Sequence, residues 1–179
     1  MDARDQLLSE VVHRSGEKIQ NCFQCQKCSA GCPVNFAMDI LPNQIFRHIQ
    51  YGHREKVLAS KTIWLCAGCY ACSVRCPNSI DIAKVMDTLR NLSFQSGVQA
   101  GEKDVTTFHS FFLNLIKTTG RMQELGLLAL LKLKTGGLFR DAGLGYEMFR
   151  RGKIKLLPEF GGGKKYRALF AELRKGAKR

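Results

Sequence analysis

The sequence lacks any long apolar run and has few acidic residues. Its 179 residues include 28 Lys and Arg but only 15 Asp and Glu. A membrane-spanning helix needs about 18 or more consecutive apolar residues, and the most apolar stretch, Leu125 to Leu133, is interrupted by Gly126 and Lys132. We therefore expect no transmembrane segment. The first residues also lack the charged and then apolar pattern of a secretory signal, so we expect a cytoplasmic protein.

Signals for nucleotide binding and for acid-base catalysis are also missing. The triple glycine at 161–163 lacks the Gly-x-Gly-x-x-Gly spacing of a phosphate-binding loop. The histidines have no thiol or carboxylate at ligand spacing, and we interpret each of them as structural or exposed: His13, His48, His53 and His109. We therefore expect neither a nucleotide site nor a catalytic residue in this chain.

The eight cysteines carry the strongest signal in the sequence. They form the pattern Cys-x2-Cys-x2-Cys-x3-Cys-Pro twice, with a period of 44 residues. A disulfide framework would need an oxidising compartment, and zinc sites require neither the third cysteine nor the proline. Two [4Fe-4S] clusters need eight thiolates, and this spacing is that of bacterial two-cluster ferredoxins. We therefore predict two [4Fe-4S] clusters and keep zinc and disulfides as the disfavoured alternatives.

The prolines after the fourth cysteines indicate how the ligands divide between the clusters. Each proline biases the preceding cysteine toward extended backbone, so the chain leaves its loop instead of closing around it. In two-cluster ferredoxins the fourth cysteine of each run binds the other cluster. The predicted ligands are Cys22, Cys25, Cys28 and Cys76 for cluster 1, and Cys66, Cys69, Cys72 and Cys32 for cluster 2. With all eight positions filled, no iron is left open to a substrate.

Helical periodicity dominates the rest of the chain. Apolar residues at helical spacing predict helices over residues 4–19, 42–51, 54–59, 103–118, 121–134 and 164–175. A further helix follows Pro77, where Ser79 or Asp81 can cap it. Its predicted apolar positions are Ile82, Val85, Met86, Leu89 and Leu92. Each cysteine run is thus followed by a helix, and Met38-Asp39-Ile40 is echoed by Ile80-Asp81-Ile82, which indicates an internal duplication.

The segment between Cys32 and Cys66 also has helical periodicity, unlike the β-hairpin of compact ferredoxins. This favours a mainly all-α fold. We predict an α-helical ferredoxin domain with two clusters over residues 1–97, and a helical, basic extension over residues 98–179. Apolar residues beside the cysteines are expected to shield the clusters, and core packing is the preferred role of the tryptophan among them: Val34, Ile63, Trp64, Leu65 and Ile80.

Positive charge is concentrated in the C-terminal part. From Lys117 onward there are 16 Lys and Arg and 5 Asp and Glu, and this part includes a Gly-rich, Lys-rich tract. Such charge fits a solvated surface, a phosphate footprint or an interfacial helix. However, the predicted helix is apolar on nearly every side between Leu125 and Leu133, so something must cover it. We therefore favour docking on partner subunits through residues 103–134, and expect no nucleic-acid partner.

Two segments around the cysteines have a more specific sequence than the spacing alone. The first is Cys22 to Pro33, CFQCQKCSAGCP, with the trailing Met38-Asp39 and Pro42-Asn43-Gln44-Ile45; the second is Ile63 to Pro77, IWLCAGCYACSVRCP, with the trailing Ile80-Asp81-Ile82. The spacing by itself is shared by many ferredoxin-like modules, including the iron–sulfur subunits of succinate dehydrogenase. With the residues around it, the region from about 20 to 95 resembles the C subunit of heterodisulfide reductase.

This resemblance implies an electron relay. The C subunits of that family hold two [4Fe-4S] clusters in an α-helical ferredoxin fold, and carry electrons between a flavin-containing A subunit, which is itself an iron–sulfur protein, and a disulfide-reducing B subunit. The B subunit has Cys-Cys-Gly motifs, whereas this chain has no adjacent cysteines. The implied role is a non-catalytic subunit of a hetero-oligomeric oxidoreductase. The alternatives are a free or membrane-associated ferredoxin-type carrier of another oxidoreductase, and a nucleic-acid-binding protein with structural clusters.

Overall fold

Helices are the only regular elements in the part of the chain that the structure describes. The structure is a computed structural model, and it describes residues 3–98, 101–120, 122–135, 142–152 and 163–176. The chain divides into two compact units, Met1–Lys103 and Asp104–Arg179. The predicted all-α fold is confirmed, while the functional division at residues 97 and 98 stays a prediction. Over the described ranges, none of the helices combines the length and apolarity needed to cross a membrane.

Among its described residues, the first unit has three long helices and four short ones. They are α1 (Ala3–Ser15), α2 (Lys27–Ala30), α3 (Pro42–Gln50), α4 (Arg54–Leu58), α5 (Thr62–Leu65), α6 (Ala71–Arg75) and α7 (Ile82–Ser96), with short 3₁₀ helices at Ile19–Asn21 and Asn35–Ala37. Helix α1 packs against α3 and α7, and α4 and α5 also pack against α7. The two motif helices, α2 and α6, pack against each other. Those two short helices were not predicted, since the sequence indicated only loops there.

The core of this unit contains the apolar residues that the helical periodicity predicted. Most apolar positions predicted for α1, α3 and α7 are buried: Leu7, Val11, Ile45, Phe46, Ile49, Ile82, Val85, Met86, Leu89 and Leu92. Leu8 and Val12, also predicted on the apolar side of α1, are only partly buried against the core. Removing each large apolar side chain from water contributes about 1.5–3 kcal/mol. The cysteines of both motifs lie at the edge of this core, and five of them pack partly against it: Cys22, Cys28, Cys66, Cys72 and Cys76.

The first helix ends earlier than predicted. The sequence predicted a helix over 4–19, but α1 stops at Ser15 and is followed by Gly16 with a φ of 70°. The Gly16 N–H donates to the carbonyl of Val12 at 2.7 Å, as in the left-handed caps that end helices. The chain then forms a separate 3₁₀ turn in which Ile19 is fully buried. The helical spacing of apolar residues therefore continues past Gly16, although the left-handed backbone of this glycine ends the helix.

Of the two predicted caps for α7, Asp81 is the one used. Its side chain accepts a hydrogen bond of 3.2 Å from the Lys84 N–H in the first turn. Ser79 instead takes a positive φ of 53° two residues earlier. A capping carboxylate also interacts favourably with the positive end of the helix dipole. The start of α7, and with it the exit from the second cysteine motif, is therefore fixed by Asp81.

The described part of the second unit contains α9 (Glu124–Thr135), α10 (Ala142–Arg150), α11 (Gly163–Gly176) and all but the first residue of α8 (Lys103–Thr119). The predicted helices over 103–118 and 164–175 are confirmed within one residue at each end, and α9 begins three residues later than predicted. Helix α10 was missed, because Gly143 and Gly145 argue against a helix. An ion pair of 3.8 Å joins Glu147 in the last turn of this helix to Arg151, the residue after it. Other parts of the predicted glycine-rich tract, 136–141 and 153–162, lie outside the described residues.

Candidate metal centre

The two cysteine motifs fold into the same local backbone. Gln24 and Gln26 in the first motif have φ angles of 56° and 62°, and the equivalent Gly68 and Tyr70 have 62° and 60°. A left-handed residue directly before a helical one turns successive backbone N–H groups toward the same side, which forms a concave anion-binding nest typical of iron–sulfur sites. The predicted internal duplication is therefore present in the backbone geometry as well as in the cysteine spacing.

The third cysteine of each motif lies on a short helix and is partly buried. Burial raises the pKa of the Cys28 thiol, and a hydrogen bond with Ser29 acts in the opposite direction. Burial likewise raises the pKa of Cys72, where Ser73 is the hydrogen-bond partner. The second cysteine of each motif, Cys25 or Cys69, is exposed. Because a thiol must lose its proton to bind iron, assembly at Cys28 and Cys72 displaces protons.

Long-range hydrogen bonds tie the exit of the first motif to the entrance of the second. The carboxylate of Asp39 accepts from the backbone N–H groups of Lys61 and Thr62 at 3.0 and 3.1 Å and from the Thr62 hydroxyl at 2.9 Å. It thereby satisfies N–H groups at the start of α5, which leads directly into Cys66. Burial raises the pKa of Asp39, but these hydrogen bonds outweigh burial and hold the pKa below its usual value.

A matching set ties the exit of the second motif to the entrance of the first. The Asp81 N–H donates to the carboxylate of Glu17 at 3.0 Å, and Glu17 also pairs with Lys84 at 3.3 Å. The side chain of Asn78 donates to the backbone carbonyl of Asn21, the residue before the first cysteine. Each motif exit is therefore fastened beside the entrance of the other motif.

These contacts arrange the eight cysteines around two cavities. One cavity is lined by Cys22, Cys25, Cys28 and Cys76, and the other by Cys32, Cys66, Cys69 and Cys72. Each has an open volume of about 390 Å³ that is continuous with solvent. In the described ranges, no three His, Cys, Asp or Glu side chains meet in a way that could hold one metal ion. A [4Fe-4S] cluster instead takes a thiolate at each of four corners, and the donors around each cavity fit that requirement.

Apolar side chains form the walls behind the cysteines. Phe46, Ile80 and Ile82 line the first cavity, while Val34 and Met86 line the second. Ile80 and Val34 were expected to shield the clusters, and they are placed accordingly. Apolar walls limit the access of water to a cluster and so influence its potential.

The remaining expected shields line neither cavity. Ile63 is fully buried in the core, and Trp64 is half-buried against it. Leu65, between Trp64 and the first cysteine of the second motif, is also half-buried but does not reach a cavity wall. The preferred role of Trp64, core packing, therefore agrees with its position.

Two polar contacts at the cysteines were not found by sequence reasoning. The Gln24 amide donates to the sulfur of Cys22 at 3.4 Å, and its oxygen accepts from Asn43 at 3.3 Å. Arg90 of α7 donates to the backbone carbonyl of Cys66 at 3.0 Å. The contacts of Asn43 and Arg90 come from helices that are distant in sequence, so spacing within the motifs carries no signal for them.

Two of the four histidines interact with each other and not with a cysteine. The Nδ1 atoms of His48 and His53 lie 3.0 Å apart, and the rings are 5.2 Å apart between centroids. Partial burial lowers the pKa of His48, and the positive charges of Lys56 and His53 lower it further. Neither ring lines a cysteine cavity. The pair therefore lies outside the candidate metal centre.

Comparison with known proteins identifies the cysteine-rich region. Residues 18–80 match the model of a family described as a 4Fe-4S dicluster domain. We call residues 18–80, which carry this match, the dicluster domain. The matched region contains every cysteine of the sequence. Two [4Fe-4S] clusters are therefore the cofactors of the dicluster domain, and the prediction of two clusters is confirmed.

Curated relatives of the dicluster domain are heterodisulfide reductase subunits. The chain is 31% identical over 97 residues to the C subunit of the H(2):CoB-CoM heterodisulfide,ferredoxin reductase of Methanothermobacter marburgensis, covering 54% of this chain and 52% of that protein. It is 33% identical over 98 residues to the iron-sulfur C subunit of the CoB--CoM heterodisulfide reductase of Methanopyrus kandleri, covering 52% and 51%. The matches span about half the length of these relatives. The predicted resemblance to this kind of subunit is confirmed.

Proposed function

We propose that the dicluster domain relays electrons within a complex of the heterodisulfide reductase type. The electrons would pass between the flavin-containing A subunit of that complex, called the flavin subunit below, and its B subunit, called the disulfide-reducing subunit. The observation that carries this proposal is the division of all eight cysteines between two cavities, four at each. When bound, the clusters act as carriers that accept and release one electron at a time. With every cysteine engaged, the chain offers no spare thiol for disulfide chemistry, so the substrate site is assigned to the disulfide-reducing subunit.

The ligand sets that support this relay are crossed between the motifs. Cys76 joins Cys22, Cys25 and Cys28 at the first site, and Cys32 joins the first three cysteines of the second motif at the second site. The Glu17–Asp81 and Asp39–Thr62 hydrogen bonds support the crossing, because each holds the end of one motif beside the start of the other. Sharing of both motifs by both sites keeps the clusters close, which favours electron transfer between them.

Residues 98–179 are proposed to dock on the partner subunits of a hetero-oligomer in the cytoplasm. Helix α9 supports this role because its leucines do not share one covered face. Leu127 is 5% exposed, whereas Leu128 and Leu133 are 45% and 73% exposed. Exposed leucines in a helix whose sequence also carries Lys132 and Lys134 suit a partner surface with an apolar centre and an acidic rim.

The relay is tested with purified proteins under anaerobic conditions. The flavin subunit is reduced, and the arrival of electrons at the disulfide-reducing subunit is followed spectroscopically with and without this chain. We expect the transfer to require the chain, and to fail with a matched sample whose clusters have been removed by chelation. Equal rates with the loaded chain, with the cluster-free chain and with no chain would overturn the relay. A stable monomer that exchanges electrons with neither partner would favour the free ferredoxin.

A further inference from the structure

Gly31 and Arg75 occupy equivalent positions in the two cysteine motifs. Each directly precedes the fourth cysteine of its motif, Cys32 or Cys76. The two positions meet in space because the motif helices α2 and α6 pack against each other. At such a junction, equivalent residues of a duplicated structure face one another. Two large side chains would compete for the same space there, and this chain has one large residue opposite a glycine.

The Arg75 side chain fills the place that a side chain at position 31 would take. A Cβ atom on Gly31 would lie 2.9 Å from Cδ and 3.0 Å from Cζ of Arg75, with its closest approach to Nη1. Gly31 has a φ of −94°, which any residue can adopt. The glycine is therefore required for the close approach of the guanidinium and not for its own backbone conformation.

The guanidinium at this junction has no acidic partner among the residues that the structure describes. Arg75 is exposed, and no acidic side chain of the described residues forms an ion pair with it. By contrast Arg90, which also lies near the cysteines, pairs with Asp87 at 3.3 Å. Arg75 directly precedes Cys76 in the sequence, while its guanidinium lies against the residue that precedes Cys32. The Arg75 backbone thus adjoins one predicted ligand, Cys76, while its guanidinium packs against the residue before another, Cys32.

We propose that Arg75 is a positioning residue whose guanidinium, packed on Gly31, raises the reduction potentials of both clusters. The inference deepens the relay function and rests on it. Reduction adds one negative charge to a cluster, and a nearby positive charge stabilises the reduced form by Coulomb attraction. A single cation at the junction acts on both sites, so it moves the two potentials in the same direction.

The test is a redox titration of the loaded full-length chain, without its partners, followed by electron paramagnetic resonance. Arg75→Gln is expected to lower the reduction equilibrium constant of both clusters by up to about tenfold, which is 59 mV for a one-electron couple. Arg75→Lys keeps the charge and should retain most of the wild-type potential. Arg47→Gln is the matched control, because it removes one exposed positive charge from α3, where Arg47 lies over the Tyr51 ring.

Unchanged reduction potentials in Arg75→Gln would overturn the proposal. So would a shift in Arg75→Lys or in Arg47→Gln as large as the shift in Arg75→Gln. Gly31→Ala gives an independent measurement, since the new methyl group displaces the guanidinium while the charge stays in the protein. Gly31→Ala should lower the reduction potentials when it is introduced into the wild-type chain. Introduced into the Arg75→Gln variant, it should leave the potentials of that variant unchanged. If the Arg75→Gln protein holds fewer than about eight irons, its clusters are incomplete, and the potentials of Gly31→Ala alone test the proposal. Failure of the relay would have a different signature, normal potentials without electron delivery to the disulfide-reducing subunit.

Discussion

Ser29 donates a hydrogen bond of 2.7 Å to the side-chain oxygen of Asn43, and its own oxygen accepts from the Asn43 backbone N–H at 3.0 Å. The second motif repeats this arrangement. Ser73 donates to Asp81 at 2.7 Å and accepts from the Ala83 N–H at 3.3 Å. Asn43 and Ala83 are each the second residue of the helix that follows their motif. The two serines thus fasten each third cysteine to the start of a long helix.

Ser29→Ala is expected to destabilise the dicluster domain. Ser29 is 4% exposed and Asn43 is 9% exposed, so the substitution removes the Ser29 hydroxyl from the buried side-chain oxygen and backbone N–H of Asn43. Such a loss costs about 1–3 kcal/mol, and we expect a fall in the melting temperature of the loaded protein, measured by circular dichroism. Ser9→Ala, in the exposed part of α1, is the control. Equal melting temperatures for the two variants would contradict the role assigned to Ser29.

Cys76→Ala is expected to make labile the cluster bound by Cys22, Cys25 and Cys28. Cys32→Ala is the matched variant and should make labile the cluster bound by the second motif. Because the two sites differ in their surroundings, their paramagnetic signals can be followed separately during exposure to a chelator. If each variant instead damages the cluster of its own motif, the ligand sets are not crossed.

Asp39→Ala is expected to weaken the entrance to the second motif. Loss of a carboxylate that accepts from N–H groups at a helix start costs about 1 kcal/mol, which corresponds to a fall of about 4 °C in the melting temperature of a unit of this size. Asp39→Asn keeps one acceptor oxygen, so its melting temperature should fall by less than that of Asp39→Ala. A melting temperature unchanged in Asp39→Ala would show that the three contacts to Lys61 and Thr62 contribute nothing to stability.

The stabilisation by Asp39 should also depend on pH. Its pKa in the folded protein is lowered, so its contribution is fully present above the ordinary carboxyl pKa of about 3.9. The contribution is lost as the pH falls through the lower pKa of the folded state. We expect wild type and Asp39→Ala to lose cluster absorbance at different rates at pH 7. The difference should narrow as the pH falls below about 4, and a difference independent of pH would contradict this.

Leu128→Asp is expected to release the chain from its partners while both clusters stay bound. An aspartate in the apolar centre of an interface leaves a buried, unpaired charge. We expect at least about a tenfold loss of co-purified partner, the equivalent of 1.4 kcal/mol. Leu131→Asp, in the same helix, should also reduce the amount of co-purified partner. Phe94→Asp is the control, because Phe94 is 73% exposed on α7, outside the proposed docking region. Full co-purification of Leu128→Asp would exclude α9 as the docking surface.

Much of the helical framework could be predicted from local patterns. The helix that carries Ile45, Phe46 and Ile49 and the helix capped by Asp81 were predicted because spacing and capping act within a few residues. Sequence reasoning failed where a local rule met an opposing effect. Gly16 ends α1 although the apolar spacing continues, and α10 forms although Gly143 and Gly145 disfavour it.

The sequence by itself determined the cofactors, because the number and spacing of thiolates match the corners of two iron–sulfur clusters and little else. It also determined the helical framework and the division between a nearly neutral first part and a basic second part. Only the tertiary structure decided which polar groups fasten the motifs together. Asp39 reaches Thr62 across 23 residues and Glu17 reaches Asp81 across 64, and Arg75 packs on Gly31 because two helices meet at a junction. Such contacts depend on how helices pack, and no periodicity within a short segment encodes that packing.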